Sequence, residues 1–411
     1  MITVIYIVSF VFVILILRKP YIGIATILGL ISFQGLIGDW LEDSELFFQV
    51  FGAATIFGYF LNYVHRANRS LFRVSPTALL ILFFAIFLLI SNYGVALNST
   101  ERNWFSTYLQ LFALVVLIEN VITSRNDIEN LMLWFSIGSV LYFANIIFIL
   151  SESGQEGLIE GANLYTRAFI IAALFTYYHL KKASKNKYLL IILLLIQCAG
   201  IVLSQSRTGI ILLFIALIYI LYKDYNLSLR SVIVILLGGL LIYYLVPEDV
   251  INSIQTDFSD KPNLRNPGKV DYSSIDTNIR FYLWGIGYDL WVNSNIFLGI
   301  GIGQFKAVVV SYLPGLETGI GLHNTYLSIL FETGIFGFLI FMGFIVRALR
   351  IYFISGVSEK RVGISTVWLM CFIVILIGGM TKHEHYDKIL FSVIGMSYFF
   401  SRRSEVKHAE N

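Results

Sequence analysis

The chain has 411 residues, of which 57% are hydrophobic, 16% aromatic and 13% charged, with a mean hydropathy of +0.77. A soluble domain carries about 25% charged residues, so half the usual charge is missing from a chain long enough for about two or three such domains, which excludes an ordinary soluble enzyme. A net charge of +3 without any basic block gives no footprint for nucleic acid.

Crossing a hydrocarbon core takes about 20 mostly apolar residues in a helix, because every backbone polar group must be satisfied within the segment. Runs of this kind are expected near residues 2–17, 21–38, 46–64, 77–97, 104–122, 130–150, 164–180, 188–204, 209–222, 231–246, 324–346, 363–381 and 389–401. The first, ninth and last are short, so the expected fold is all-α, a polytopic integral membrane protein with 12–13 transmembrane helices. The opening run lacks the basic start and small-residue cleavage site of a signal peptide and continues through Arg18-Lys19-Pro20 into the next, so it is expected to be a retained helix.

Lys and Arg are retained on the cytoplasmic side of short connections. One alternate set of connections holds Arg18 and Lys19, Arg66, Arg69 and Arg73, Arg125, Lys181, Lys182, Lys185 and Lys187, Lys223 and Arg230, Arg347, Arg350, Lys360 and Arg361, and Arg402, Arg403 and Lys407. The opposite set carries Asp39, Glu42, Asp43 and Glu45, and Glu152, Glu156 and Glu160. The C-terminus is therefore expected inside, with the N-terminus outside for 13 spans and inside for 12.

One connection is long. Residues 247–322, broken by Pro247, Pro262 and Pro267, form an outer loop with short helices between a helical body (1–246) and C-terminal spans with a cytoplasmic tail (323–411). Connections of this length are usually functional or disordered. Within it Ile279 to Leu298, rich in aromatics, suits a helix lying against the membrane surface. Cys198 and Cys371 sit in apolar runs and read as packing residues, since a disulfide framework needs more cysteines.

Charge near a bilayer costs roughly 2.5–3.5 kcal/mol at a helix centre, so charges that break the topology rule or interrupt an apolar run need an explanation. Arg167, at the outer end of the seventh run, reads most simply as an arginine snorkelling to the interface. Arg207 lies in Ser204-Gln205-Ser206-Arg207-Thr208-Gly209, a polar turn on the outer side, and its guanidinium fork matches phosphate or carboxylate oxygens; a snorkelling or capping role is the alternative. Arg280 heads the loop helix beside Phe281, Tyr282 and Trp284, where packing on a ring is the simpler use.

Gly299-Ile300-Gly301-Ile302-Gly303 imitates a nucleotide loop but has no preceding strand or βαβ setting; a sharp bend passing closely over the helices is expected instead. His323, in His323-Asn324-Thr325-Tyr326-Leu327, stands where the loop re-enters the membrane, and its imidazole can take and return a hydroxyl proton near neutral pH or simply cap a helix. Glu332 follows nine positions later, half a turn out of phase and ~13 Å deeper on a continuous helix, so it is expected to support packing, not to pair with His323. Lys382-His383-Glu384-His385 reads as a solvated outer turn; a metal at His383 and His385 would lack a convincing third ligand.

Together these residues resemble the C-terminal signature of the O-antigen ligase and O-antigen polymerase superfamily. The resemblance rests on the arginine-led Trp284–Gly303 stretch with its Gly-Ile-Gly bend, on His323-Asn324 followed by Tyr326-Leu327 and Glu332-Thr333-Gly334, and on Ser206-Arg207-Thr208-Gly209 as the preceding Ser-Arg-x-Gly. It covers about residues 200–345, and the N-terminal part matches only as an array of spans.

The resemblance implies metal- and cofactor-independent glycan transfer on the outer face of a bacterial cytoplasmic (inner) membrane. The donor would be an undecaprenyl-diphosphate-linked glycan, and the acceptor a sugar hydroxyl on lipid A core (ligase) or on another carrier-linked glycan (polymerase). It implies that Arg207 and Arg280 hold the diphosphate, with Arg167 as a further contact, that His323 activates the acceptor hydroxyl for an inverting displacement, and that Asn324 and Glu332 give structural support. A transporter of lipid-linked glycan would use the same arginines, but it needs polar groups along a mid-membrane route, whereas these charges collect at the outer surface.

Overall fold

The computed structural model describes residues 2–30, 44–64, 73–91, 104–153, 162–183, 186–204, 206–225, 265–266, 269–270, 277–312, 321–357, 359, 361–381 and 385–409. Each expected span overlaps a helix among the described residues except 231–246, which lies outside them, as do residues 31–38 and 92–97 of the spans expected at 21–38 and 77–97. In chain order these are α1 (Ile2–Arg18), α2 (Pro20–Leu30), α3 (Ser44–Val64), α4 (Pro76–Ser91), α5 (Trp104–Val121), α6 (Arg125–Ser153), α7 (Ala162–Lys182), α8 (Lys187–Leu203) and α9 (Arg207–Tyr225). The long connection contributes a two-residue antiparallel ladder, β1 (Arg265–Asn266) with β2 (Lys269–Val270), then α10 (Thr277–Asn293) and α11 (Gln304–Val309). The chain ends with α12 (Thr325–Val357), α13 (Ile364–Gly378) and α14 (Lys388–Ala409).

Among the described residues four helical stretches are long and apolar enough to cross a membrane by length and composition: Trp104–Val121, Arg125–Ile149, Thr208–Tyr225 and Thr325–Gly356. Pro20–Gly29, Pro76–Ser91, Lys187–Leu203 and Ile364–Gly378 are apolar but shorter. The protein is an all-α polytopic membrane protein.

Helices such as α4 and α13 are apolar all round, as lipid-embedded helices are. On α4, Ile81, Phe84, Ala85 and Leu88 are buried while Leu79, Phe83, Ile86 and Ile90 remain exposed on another face. Since lipid is as apolar as leucine, cohesion between such helices comes from close packing, here largely aromatic: Phe84 meets Tyr108 with centroids 4.8 Å apart, and Phe175 meets Trp368 at 5.0 Å. Gln197 adds a polar tie, donating to the Ser139 hydroxyl at 3.0 Å.

Polar chemistry gathers at the two ends of the bundle. At one end Glu129 takes Arg125, Tyr178 and Lys182, Asp224 takes Lys181, Tyr177 and the Val362 amide, and Lys223 donates to the carbonyls of Gly356 and Glu359. At the other end lie the starts of α7, α9, α12 and α14 and the ends of α8 and α13, with α10 and α11 beside them.

The loop helix expected to reach Leu298 stops at Asn293, where local bonds compete with the helix. The Asn295 side chain accepts the amides of Phe297 and Leu298 (3.0 and 3.1 Å), and the Trp291 indole donates to the Ile296 carbonyl (3.0 Å). The glycine bend that follows has positive φ at Gly299, Gly301 and Gly303 and pairs with α12 where that helix breaks at Gly334 (φ 66°, ψ −172°). An unbroken helix would bond Ile335 to Phe331 and Phe336 to Glu332. Instead the amides of Ile300 and Gly301 take the carbonyls of Phe331 and Glu332 (3.1 and 2.9 Å), and the carbonyls of Ile296 and Phe297 take the amides of Ile335 and Phe336 (3.0 and 3.2 Å). The bend thus replaces the missing bonds one for one, as buried backbone requires.

Candidate active site

Arg207 is the first residue of α9, and its turn is built by polar side chains. Ser206 caps α9 by accepting the Gly209 amide (3.0 Å) and donates to Asn163 Oδ1 (2.5 Å) on the first turn of α7. Ser204 also hydrogen-bonds the Ile201 carbonyl (2.7 Å) and shares a short hydrogen bond with the Thr166 hydroxyl. The Thr166 methyl lies where a side chain on residue 209 would sit, so the close approach requires Gly209. The helix dipole adds a positive electrostatic end at the α9 start, where Arg207 stands.

Arg280 lies on the first turn of α10, half-buried, with its Nε shielded from solvent and without a hydrogen-bond partner among the described residues. Burial lowers its pKa from the ordinary value, although a guanidinium stays charged at neutral pH. One turn later the Trp284 indole donates to the Leu322 carbonyl at 2.9 Å, next to His323. Leu283, Ile286, Leu322, Phe305, Val309 and Phe331 close a small core beneath. Trp284→Phe removes the N–H and leaves a buried carbonyl short of a donor, an expected loss of ~1 kcal/mol; urea unfolding of the detergent-solubilised protein checks it.

His323 adopts φ 49°, left-handed backbone that is rare for residues other than glycine, and is partly exposed between the buried Leu322 and Asn324. It precedes α12, so it does not stand on a continuous helix with Glu332. Asn324 is the cap: its Oδ1 accepts the amides of Tyr326 and Leu327 (3.0 and 3.1 Å). The Thr325 amide bonds the Gly379 carbonyl at 2.8 Å, and the Tyr326 hydroxyl bonds the Leu376 carbonyl at 2.7 Å, tying the His323 strap to the end of α13. Backbone held in a sparsely populated region by bonds on both sides is a recurrent feature of functional sites.

Glu332 is 1% exposed, and its Oε1 accepts the Phe305 amide at 3.3 Å, so it holds the start of α11 against α12. Arg167 is 4% exposed, with a guanidinium nitrogen 3.5 Å from Asp387 Oδ2 and Nε 3.4 Å from the Asn163 carbonyl. It is thus buried in an ion pair, unlike a snorkelling arginine.

Three contacts join these groups at one end of the bundle. The first turn of α7 meets the Arg207 turn, the Arg167 stem lies over Gly378, and Gly379 holds the residues after His323. Asp387 and the supporting role of Asn163 escaped the sequence reading, and Trp284 was read only as part of the aromatic stretch after Arg280; an acidic residue two positions after His385 was the available signal for the first. His385 is a correction: the expected solvated histidine is fully buried, with Nδ1 2.8 Å from the Tyr108 hydroxyl and its ring against Trp104 and Tyr386. The Tyr108 hydroxyl also hydrogen-bonds the His385 carbonyl at 2.9 Å. His383 lies outside the described residues.

The Arg207 turn, the Arg280-bearing α10 and the His323 strap thus stand at one polar end of a helical membrane bundle. Residues 189–342 match a family model described as O-antigen ligase, a stretch from α8 into α12 that contains Arg207, Arg280, His323 and Glu332. The match supports the O-antigen ligase/polymerase superfamily for this part of the chain, and with it ligase-type or polymerase-type activity of a glycosyltransferase kind in a bacterial membrane, with lipid-linked glycan as partner. No curated protein matches the chain.

Proposed function

We propose that this protein is an O-antigen ligase of the bacterial inner membrane, moving a glycan from undecaprenyl diphosphate to a sugar hydroxyl of lipid A core on the outer face. The observation that supports the reading is that the Arg207 turn and the His323 strap are both held by the start of α7, while the Trp284 bond to Leu322 ties the helix bearing Arg280, whose Nε has no partner among the described residues, to the same strap. In the reaction, the acceptor hydroxyl gives its proton to His323 as its oxygen attacks the anomeric carbon from the side opposite the diphosphate. The bond from that carbon to the diphosphate oxygen breaks, its electron pair leaves with the diphosphate, and Arg207 and Arg280 stabilise that charge as it appears. The configuration inverts. Arg125, Lys181, Lys182 and Lys223 stand at the opposite end of the bundle, which supports a cytoplasmic position for that end and for the end of α14.

Purified protein mixed with undecaprenyl-diphosphate-linked glycan and lipid A core is expected to form a new glycosidic bond without added metal or nucleotide. Extension of the carrier-linked glycan without modification of the core would make the protein a polymerase. Movement of the glycan across vesicles without any bond formation would make it a transporter.

A further inference from the structure

The first two turns of α7 touch both halves of the candidate site. Asn163, Thr166 and Arg167 fall at i, i+3 and i+4 and share one helix face. Towards the Arg207 turn, Asn163 accepts the Ser206 hydroxyl, Thr166 and Ser204 share a short hydrogen bond, and the Thr166 methyl fills the space at Gly209. Towards the His323 strap, the Arg167 stem occupies the space a side chain on residue 378 would need, its Cδ 2.5 Å from that position, while the next residue, Gly379, bonds Thr325. The Arg167 guanidinium turns away to Asp387, whose other oxygen accepts the Ile389 amide at 2.8 Å and caps α14. Side-chain exposures of 4% and 9% make this a buried pair, whose rupture strands an uncompensated charge.

We propose that Asn163, Arg167 and Asp387 form a clamp that fixes the Arg207 turn relative to the His323 strap, so that Arg167 is a positioning residue and not a diphosphate ligand. Its consequence for rate rests on the glycan-transfer reading. Acceptor activation and leaving-group stabilisation sit on opposite sides of the reacting carbon, so their separation must be held, and misplacement by about 1 Å costs up to ~10²-fold. The clamp sets that separation from the α7 helix, which neither half supplies alone.

Asp387→Asn tests this best, because the amide oxygen keeps the α14 cap while the charge is lost. The expected result is a fall of roughly tenfold or more in kcat with donor KM within about twofold of wild type. Arg167→Ala is expected to behave alike, and the double variant to be no worse than either single one, since both remove the same interaction. Asn163→Ala is expected to lower kcat, while Asn163→Asp, which retains the acceptor for Ser206, keeps most of it. A rise in donor KM for Arg167→Ala alone, with Asp387→Asn at wild-type kcat, makes Arg167 a diphosphate ligand and overturns the clamp.

Amide hydrogen exchange provides a readout that needs no turnover. Gly209 and Ile210, both bonded to Ser206, are expected to exchange faster in Asp387→Asn and Asn163→Ala. Faster exchange in a protein that transfers no glycan leaves the clamp standing and removes the glycan-transfer reading. Unchanged exchange in both variants removes the clamp whatever the activity. If Asp387→Asn fails to accumulate, the Asn163 pair carries the same decision.

Discussion

Arg280→Ala is expected to lower glycan transfer by about 10²–10³-fold, the effect of deleting one preorganised donor to a developing negative charge, while leaving the melting temperature unchanged or slightly raised. The two halves of this expectation share one cause. The Arg280 Nε is buried and has no partner among the described residues, so the folded protein bears a desolvation cost of about 1–3 kcal/mol for an unfilled donor. A diphosphate oxygen would fill it, and removal of the side chain relieves it. Arg280→Lys should recover little of the rate, because an ammonium is a point charge and lacks the fork that engages two oxygens. Initial rates at saturating acceptor, set beside thermal melting of the same preparations, test both halves. Loss of stability with retained turnover would make Arg280 a packing residue.

The membrane made the fold legible. A segment must satisfy its own backbone in lipid, so apolar runs such as 104–122 and 130–150 translate directly into α5 and α6. The break in α12 was hidden by the same rule, because the apolar pattern continues past Gly334 and the bonds that replace the helical ones come from Ile296–Gly301, far upstream. In sequence, Arg207, Arg280 and His323 stand out as polar exceptions on the side expected to face outward. Their supports do not, since each is polar for an ordinary reason in sequence and acquires its role through a distant partner. Arg167 meets Asp387 across 220 residues, and His385 meets Tyr108 across 277. A histidine in a Lys-His-Glu-His turn looks solvated until the partner that buries it is in place.

Gly334→Ala is expected to destabilise the protein by roughly 3–5 kcal/mol and to abolish transfer. At φ 66° and ψ −172° the backbone occupies a region open essentially to glycine, and an added methyl would lie 2.6 Å from the Gly299 nitrogen and against the Phe297 backbone. The chain has two escapes, and both forfeit the site. If the break is kept, the bend must retreat and the four bonds between 296–301 and 331–336 are lost. If α12 straightens, Ile335 and Phe336 regain helical partners, but the carbonyls of Ile296 and Phe297 and the amides of Ile300 and Gly301 lose theirs. The Glu332 carboxylate then rotates away from Phe305, releasing α11 and the small core that seats α10 beneath Arg280. Gly285→Ala on α10 is the matched control: no atom lies within 4 Å of the added methyl, and a helix-interior alanine should stabilise by about 0.5–1 kcal/mol. Melting temperatures and transfer rates for the two variants separate a demand at Gly334 from a general intolerance of change near the bend. A Gly334→Ala protein that melts and turns over like wild type would mean that the bend's bonds to α12 carry neither the stability nor the geometry of the site.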